Sequence, residues 1–150
     1  MKKFNFSLQK VLEIKGQILE NLKIELSILY NDLKIIEGAI SNLMMQFSDI
    51  EKEFLEKSSV SVSVGEMFYK KTLMSSILKQ VEYKEKEKEI VLSKIEAKRH
   101  EIINMNREIS SLEKLRDNEL EKYKKASLKS EEIFIEEFVS NKSMTNRYAI

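Results

Sequence analysis

The sequence contains no cysteine, no proline and no tryptophan, and only three glycines among 150 residues. Without cysteine the chain has neither a disulfide framework nor a thiolate metal site, and its one histidine, His100, cannot form a histidine cluster. A many-stranded or loop-rich fold would lack the proline and glycine that its turns need. We therefore expect long helices, with no cofactor and no metal.

Features of membrane and nucleic-acid proteins are scarce as well. No apolar run approaches the roughly 20 residues that a membrane-spanning helix needs. The amino-terminal "MKKFNFSLQKVLEIK" is interrupted too often by polar residues to be a secretory signal. The net charge of +1 is too small for a protein held to phosphate by excess basic charge. We expect no nucleic-acid partner and, at most, peripheral contact with a membrane.

An apolar stripe runs through the first third of the chain. Steps of four and three residues alternate along it, which gives a repeat of about 3.5 residues, the period of a left-handed coiled coil. The stripe consists of Leu8, Leu12, Lys15, Leu19, Leu22, Leu26, Leu29, Leu33, Ile36, Ile40, Leu43, Phe47, Ile50 and Phe54. Only Lys15 interrupts it, so the sequence predicts one long helix packed against a partner helix.

The same spacing resumes after "SSVSVSVGEMFYKK". This second stripe consists of Met74, Ile77, Val81, Lys84, Lys88, Val91, Ile95, Lys98, Ile102, Met105, Ile109 and Leu112. Its three lysines indicate either a locally widened coil or a region held apart to receive a partner. Beyond it we expect the register to slip, because the next apolar residues, Leu115, Leu120, Tyr123 and Leu128, fit only after a shift.

The alternating "VSVSV" between the stripes indicates a turn, because a lone strand would leave its backbone groups unpaired. The predicted fold is all-α, with two long helices forming an antiparallel coiled-coil hairpin in a single domain. The predicted bounds are about 6–56 for helix one, 57–65 for the turn, 66–138 for helix two and 139–150 for a flexible tail.

A tip near residue 61 fixes which residues should meet. Position i would lie opposite about 122 − i, so Phe54 would face Phe68 and Phe4 would face Asn118. Residues beyond about 120 would then have no intramolecular partner. No catalytic constellation is present, and a two-helix hairpin has no cavity in which to desolvate a charge. We expect a protein that is not an enzyme, with His100 as ordinary surface.

Three segments resemble the FliJ family of flagellar export proteins. The opening "FNFSLQKVLEIKGQ" is similar to that family's amino-terminal signature, in which a phenylalanine precedes "LQxVL" and a long heptad helix. "VSVGEMFYKKTLMSSILKQVE" resembles its hairpin region, and "LEKLRDNELEKY" followed by "EEIFIEEF" resembles its carboxyl-terminal helix. The resemblance covers almost the whole chain.

The resemblance implies a cytoplasmic, non-enzymatic stalk of the flagellar type III export apparatus, peripheral at the inner face of the cell membrane. Its expected partners are the export ATPase ring, the cytoplasmic domain of the export gate protein and escort chaperones. The gate-binding residues would correspond to Leu73, Ile77, Gln80 and Lys84. The ATPase-binding residues would be those of the unpaired carboxyl-terminal end, Ile133, Phe134, Ile135 and Phe138.

Two other hypotheses stay open at this point. The periodicity equally permits a generic coiled-coil scaffold or the equivalent stalk of a virulence type III secretion system. A peripheral membrane or nucleic-acid-binding rod is a third hypothesis, which the near-neutral charge disfavours.

Overall fold

The computed structural model describes residues 2–58 and 63–148. Two long α-helices, α1 (Gln9–Ser58) and α2 (Val64–Tyr148), make up nearly all of this part of the chain, in which no strand occurs. The two helices pack against each other, so the predicted all-α hairpin is confirmed. Residues 59–62, which contain Val60, Val62 and the expected tip near residue 61, lie outside the described residues.

The helix ends next to the tip differ from the expected turn at 57–65. Ser58 still belongs to α1, and α2 begins at Val64, so that Gly65 lies in the first turn of α2. Ser63 explains the early start, because its Oγ accepts a hydrogen bond from the backbone N–H of Glu66 at 3.2 Å. This is the N-cap arrangement of a serine followed three residues later by a glutamate.

The outer helix ends differ from the expectation too. α1 begins at Gln9 instead of about residue 6, after a turn in which the Phe6 carbonyl accepts from the Gln9 N–H at 3.1 Å. α2 continues to Tyr148, through most of the segment expected to be a flexible tail. No proline or glycine follows Gly65 in the sequence, so no helix-breaking residue is present to end α2 near residue 138.

The chain divides into two compact units, to each of which both helices contribute. One unit contains the residues up to Leu19 and those from Asn104 onward, and the other is Glu20–Ile103. In the second unit, residues in ascending order on α1 pair with residues in descending order on α2: Glu25 with Lys98 at 2.6 Å, Glu37 with Lys88 at 3.6 Å and Glu53 with Lys70 at 3.7 Å. The helices are therefore antiparallel there.

These ion pairs correct the expected register. The two residue numbers of each pair add up to 123, or to 125 for Glu37 with Lys88, so position i of α1 lies across from about 124 − i of α2. Phe68, expected to face Phe54, is 72% exposed instead. In the observed register, each of these lysines pairs with the glutamate next to the α1 residue that faces it. The position of the tip alone does not fix these ion pairs.

The two predicted stripes do form the seam between the helices. Every position of both stripes, the lysines included, is buried or half-buried. Three of the four seam lysines, Lys15, Lys88 and Lys98, reach glutamates of the other helix with their ammonium groups, which is compatible with aliphatic stems that stay in the seam. Because Lys88 reaches Glu37 on the other helix, the lysine-rich section is held together and not widened beyond ion-pair distance.

Lys98 shows the electrostatic consequence of this arrangement. Its Nζ donates to Glu25 on α1 and, at 3.4 Å, to Glu101 on its own helix. The hydrogen bond to Glu25 raises the pKa of Lys98 above its ordinary value. A raised lysine pKa contributes stability that is present at neutral pH and is lost as the pH rises through that pKa.

Beyond Leu112 the expected register slip does not occur. The seam continues at the same spacing through Arg116, Glu119 and Tyr123, which are all half-buried. Leu120 is half-buried too, but Leu115 and Leu128, which the slip would also have placed in the seam, are 41% and 61% exposed. The coiled-coil period is thus kept through polar residues, because helix geometry fixes which positions face the partner whatever their side chains are.

The amino-terminal segment packs against this part of α2. Tyr123 donates its hydroxyl to the Lys2 carbonyl at 2.6 Å, and the Phe4 and Tyr123 rings lie 5.6 Å apart between centroids. Phe4 therefore meets Tyr123 and not Asn118. Phe6 is 4% exposed, one of four buried apolar side chains among the described residues, with Leu12, Ile77 and Ile95. Of the two phenylalanines of "FNFSLQ", Phe6 is a core residue of this unit and Phe4 is half-buried against Tyr123.

The pair formed by Lys15 and Glu108, 2.5 Å apart, allows the antiparallel register to be tested. We expect Glu108→Lys, which opposes two lysines, to lower the free energy of unfolding by about 1 kcal/mol. The exchange Lys15→Glu with Glu108→Lys should restore most of the loss. Urea unfolding of the four proteins of this double-mutant cycle measures the coupling. Strictly additive effects would show that the two side chains do not interact.

Candidate functional site

The residues proposed for gate binding do not share one environment. Leu73 is 37% exposed and Gln80 is exposed, whereas Ile77 is 4% exposed and belongs to the seam. Lys84 is half-buried and pairs with Glu87 of its own helix at 3.0 Å. The alternating exposure arises because Ile77 and Lys84 are seam positions, while Leu73 and Gln80 flank the seam. Ile77 is thus unavailable to a partner unless the helices separate.

Exposed neighbours complete a surface around Leu73 and Gln80. Tyr69 and Tyr83 are 68% and 63% exposed, and Ser76 is exposed as well. At 3.6 residues per turn these five side chains fall within an arc of about 80° of α2. We call Tyr69, Leu73, Ser76, Gln80 and Tyr83 the outer α2 face. Sequence reasoning missed the two tyrosines, although their spacing of 3 or 4 residues from Leu73 and Gln80 was the available signal.

The last twenty residues of α2 form the second candidate surface. Every described residue from Leu128 to Tyr148 is exposed, in contrast to the half-buried seam residues that precede them. We call residues 129–148 the overhang. The four residues predicted for ATPase binding lie in it, with Ile133 47%, Phe134 69%, Ile135 59% and Phe138 60% exposed. This much exposed apolar surface on one helix is typical of a segment covered by a partner.

Helix geometry separates one of those four residues from the others. Phe134 and Phe138 are one turn apart, and Ile135 and Val139, which is 59% exposed, lie beside them on the same side of the helix. Phe134 and Ile135 also line one surface hollow. Ile133 falls on the other side, among Glu136 and Glu137. We call Phe134, Ile135, Phe138 and Val139 the overhang face. It presents two aromatic and two β-branched side chains, a composition suited to a groove in a partner.

Neither a metal site nor a membrane-spanning helix is found among the described residues. Within residues 2–58 and 63–148 no group of three or more His, Asp or Glu side chains could hold a metal ion. His100 is exposed, and its Nε2 lies 3.9 Å from Glu96 of the same helix. In the same part of the chain, neither helix has a section apolar enough, over the length required, to cross a membrane.

Comparison with known families identifies the chain. The sequence model of the family described as "Flagellar FliJ protein" matches residues 4–147. The chain belongs to the FliJ family. No curated protein and no solved structure gives a match. As a member of the FliJ family, the chain is a flagellar protein associated with export and without a catalytic role.

Family membership gives the two exposed surfaces their context. The match begins at Phe4 and ends one residue before Tyr148, so it includes most of the amino-terminal segment, α1, and all of α2 and the overhang except Tyr148. It favours the flagellar assignment over a virulence-secretion stalk and over a generic scaffold. A FliJ-family chain works within an assembly, and both exposed faces are available for contacts with other proteins.

Proposed function

We propose that this FliJ-family chain is a non-enzymatic stalk that couples the flagellar export ATPase ring to the export gate. The observation that carries the proposal is the overhang, twenty consecutive exposed residues of α2 with a continuous apolar face. A free helix with two exposed phenylalanines is stabilised by insertion into a partner, because burial removes that apolar area from water. The ATPase ring is the partner proposed for this end.

The gate is the partner proposed for the outer α2 face. That face begins five residues after α2 starts, so it lies close to the amino-terminal end of α2. Tyr69 and Tyr83 supply large, amphipathic contact area at low cost in side-chain entropy, as is common in residues that dominate binding. Leu73 and Gln80 are retained from the sequence-based site. Escort-chaperone traffic belongs to the same proposal and requires surface that neither partner covers. The place of action is the cytoplasm, peripheral to the cell membrane through the apparatus.

Mixing the chain with the flagellar export ATPase tests the proposal. We expect a complex stable enough to co-sediment and a hydrolysis rate higher than that of the ATPase alone. A control with the chain alone should show no hydrolysis, so that any increase in the mixture is assigned to the ATPase. Absence of a complex at concentrations where the ATPase forms its ring would refute the stalk assignment.

A double alanine variant tests the proposed gate site. Tyr69→Ala with Leu73→Ala should weaken binding to the gate's cytoplasmic domain at least tenfold, since an aromatic and an aliphatic anchor of the face are lost. Circular dichroism should show unchanged helicity, because both side chains are exposed. The matched control is Ile90→Ala with Leu92→Ala, which removes exposed apolar side chains elsewhere on α2. Isothermal titration calorimetry measures the affinity of the wild type and of the two double variants for the gate domain. Equal affinity of all three would show that the outer α2 face does not bind the gate.

A further inference from the structure

Six exposed lysines lie where the amino-terminal segment meets α2. The hydrogen bond from the Tyr123 hydroxyl to the Lys2 carbonyl, 2.6 Å long, joins two stretches that are 121 positions apart in the sequence. The amino-terminal stretch carries two of the lysines and α2 carries four. We call the six the lysine collar: Lys2, Lys3, Lys122, Lys124, Lys125 and Lys129, all of them exposed.

Acidic residues that could neutralise the lysine collar are scarce. The first acidic residue of the sequence is Glu13, and none occurs between Glu121 and Glu131. Glu121 pairs with Lys125 at 3.3 Å, and this is the one ion pair of a collar lysine within residues 2–58 and 63–148. Glu119 is half-buried in the seam and pairs with no collar lysine. The collar is thus a concentration of positive charge in a chain whose net charge is +1.

The spacing of the collar lysines on α2 sets like charges beside one another. Lys125 lies three residues after Lys122 and four before Lys129, the separations at which side chains on a helix are neighbours and like charges repel. Lys84 and Lys88 are also four residues apart, but each pairs with a glutamate, at 3.0 Å and 3.6 Å. Lys122 and Lys129 have no such partner among the described residues. Carboxylates of another protein placed against the collar would relieve this repulsion.

The collar lysines lie on several sides of this part of the molecule. Counted from Tyr123 in the seam, steps of about 100° place Lys122 and Lys124 on opposite flanks of α2 and Lys125 near its back. Lys2 and Lys3 belong to the segment that packs on the seam side. A flat surface could contact only one of these sides at a time. A partner that contacts all of them surrounds the helix.

The residues after the collar disfavour a uniformly negative partner. Residues 130–141 contain four glutamates and no lysine or arginine: Glu131, Glu132, Glu136 and Glu137. The first of them is only two residues after the last collar lysine, a rise of about 3 Å along the helix. An anionic membrane would therefore bring negative charge against both stretches. A folded protein can place carboxylates against the collar alone.

We propose that the lysine collar binds a ring of carboxylate side chains at the rim of the opening that receives the overhang. This inference rests on the proposed insertion of the overhang into the export ATPase. The last collar lysine, Lys129, is the first residue of the overhang, which is about 30 Å long. The collar therefore reaches the rim when the overhang is inside. Its lysines speed the encounter and set the depth of insertion, while the overhang face supplies the apolar contact.

Association rates at increasing salt concentration test the collar, with a variant that combines Lys122→Gln, Lys125→Gln and Lys129→Gln. We expect wild-type association with the export ATPase to slow steeply as salt rises, because exposed charges are screened. The collar variant should associate roughly tenfold more slowly at low salt and show a flatter dependence on salt. Circular dichroism should show unchanged helicity, because all three side chains are exposed.

The matched control combines Lys34→Gln, Lys71→Gln and Lys79→Gln, which removes three exposed lysines away from the collar. It should associate with the ATPase as the wild type does. If the collar variant also associated as the wild type does, while Phe134→Lys with Phe138→Lys abolished binding, the role of the collar would be overturned and the stalk proposal would stand. A wild type that does not bind the ATPase would refute the stalk proposal and this inference with it.

Cross-linking identifies the groups that the collar contacts. A carbodiimide joins a lysine amine directly to a carboxylate, so it links only side chains that meet. In the complex with the export ATPase, mass spectrometry should find collar lysines joined to aspartates or glutamates of the ATPase. Links to the ATPase from lysines elsewhere in the chain, with none from the collar, would contradict the proposal.

Sedimentation with vesicles of phosphatidylserine and phosphatidylcholine tests a membrane as the partner. We expect the wild-type chain to remain in the supernatant, because the glutamates next to the collar oppose an anionic surface. Vesicle binding that the collar variant loses, together with unchanged association of that variant with the ATPase, would assign the collar to a membrane and overturn the proposal.

Discussion

Truncation after Leu128 is expected to abolish binding to the export ATPase and any stimulation of its hydrolysis. The deletion removes the overhang, whose described residues are all exposed. The seam through Tyr123, with its hydrogen bond to the Lys2 carbonyl, is left intact. The thermal midpoint should therefore change by no more than about 2 °C, as is typical when only exposed residues are altered. Co-sedimentation and a hydrolysis assay measure the two losses.

Point variants locate the effect on one side of the overhang. Phe134→Lys with Phe138→Lys should reproduce the truncation, because two charges would be placed on the overhang face. Ile133→Lys is the matched control, since Ile133 belongs to the same segment but lies on the other side of the helix. We expect it to bind nearly as the wild type does. A truncated chain that still bound and stimulated the ATPase would show that the overhang has no role at this end.

Ile95→Lys is expected to have the largest effect on stability. Ile95 is 5% exposed in the seam, and the register places Leu29 across from it. A lysine there leaves a charge without a partner and removes an apolar contact, which costs about 3–5 kcal/mol. Thermal unfolding followed by circular dichroism should show a midpoint lower by about 10 °C. Leu29→Lys should act similarly from the other helix.

The control for Ile95→Lys lies five residues earlier on the same helix. Ile90 is 58% exposed, so Ile90→Lys changes the same residue type to the same lysine outside the seam. We expect a change within about 0.5 kcal/mol, the range common for surface substitutions. Equal destabilisation by the two variants would mean that the seam does not lie where the burial pattern puts it.

The seam was predictable from sequence because only one side of each helix is covered. A two-helix fold buries a narrow stripe, and its period of about 3.5 residues is visible directly in the positions of leucine and isoleucine. The register was not predictable to better than a few residues. The register is linked to the ion pairs of the seam lysines Lys88 and Lys98 with glutamates of α1. The apolar period does not predict which glutamate each lysine binds.

The candidate surfaces were predictable only in part, for a related reason. Leu73 and Ile77 are one turn apart and look alike as sequence, but the position of α1 buries one and exposes the other. Ile133 and Phe134 are adjacent in sequence, yet Ile133 lies about 170° around the helix from the middle of the overhang face, to which Phe134 belongs. In the overhang, apolar residues with no partner helix were identifiable because the pairing of α1 with α2 runs out there.

The measurement that tests the coupling role most directly is capture of the export ATPase on an immobilised cytoplasmic domain of the export gate. If the chain bridges the two, the ATPase is retained only when the chain is added. Phe134→Lys with Phe138→Lys should keep the chain on the gate but release the ATPase, and Tyr69→Ala with Leu73→Ala should keep the chain on the ATPase but release the gate. ATPase retention that is the same with and without the chain, or that survives both double variants, would contradict the account.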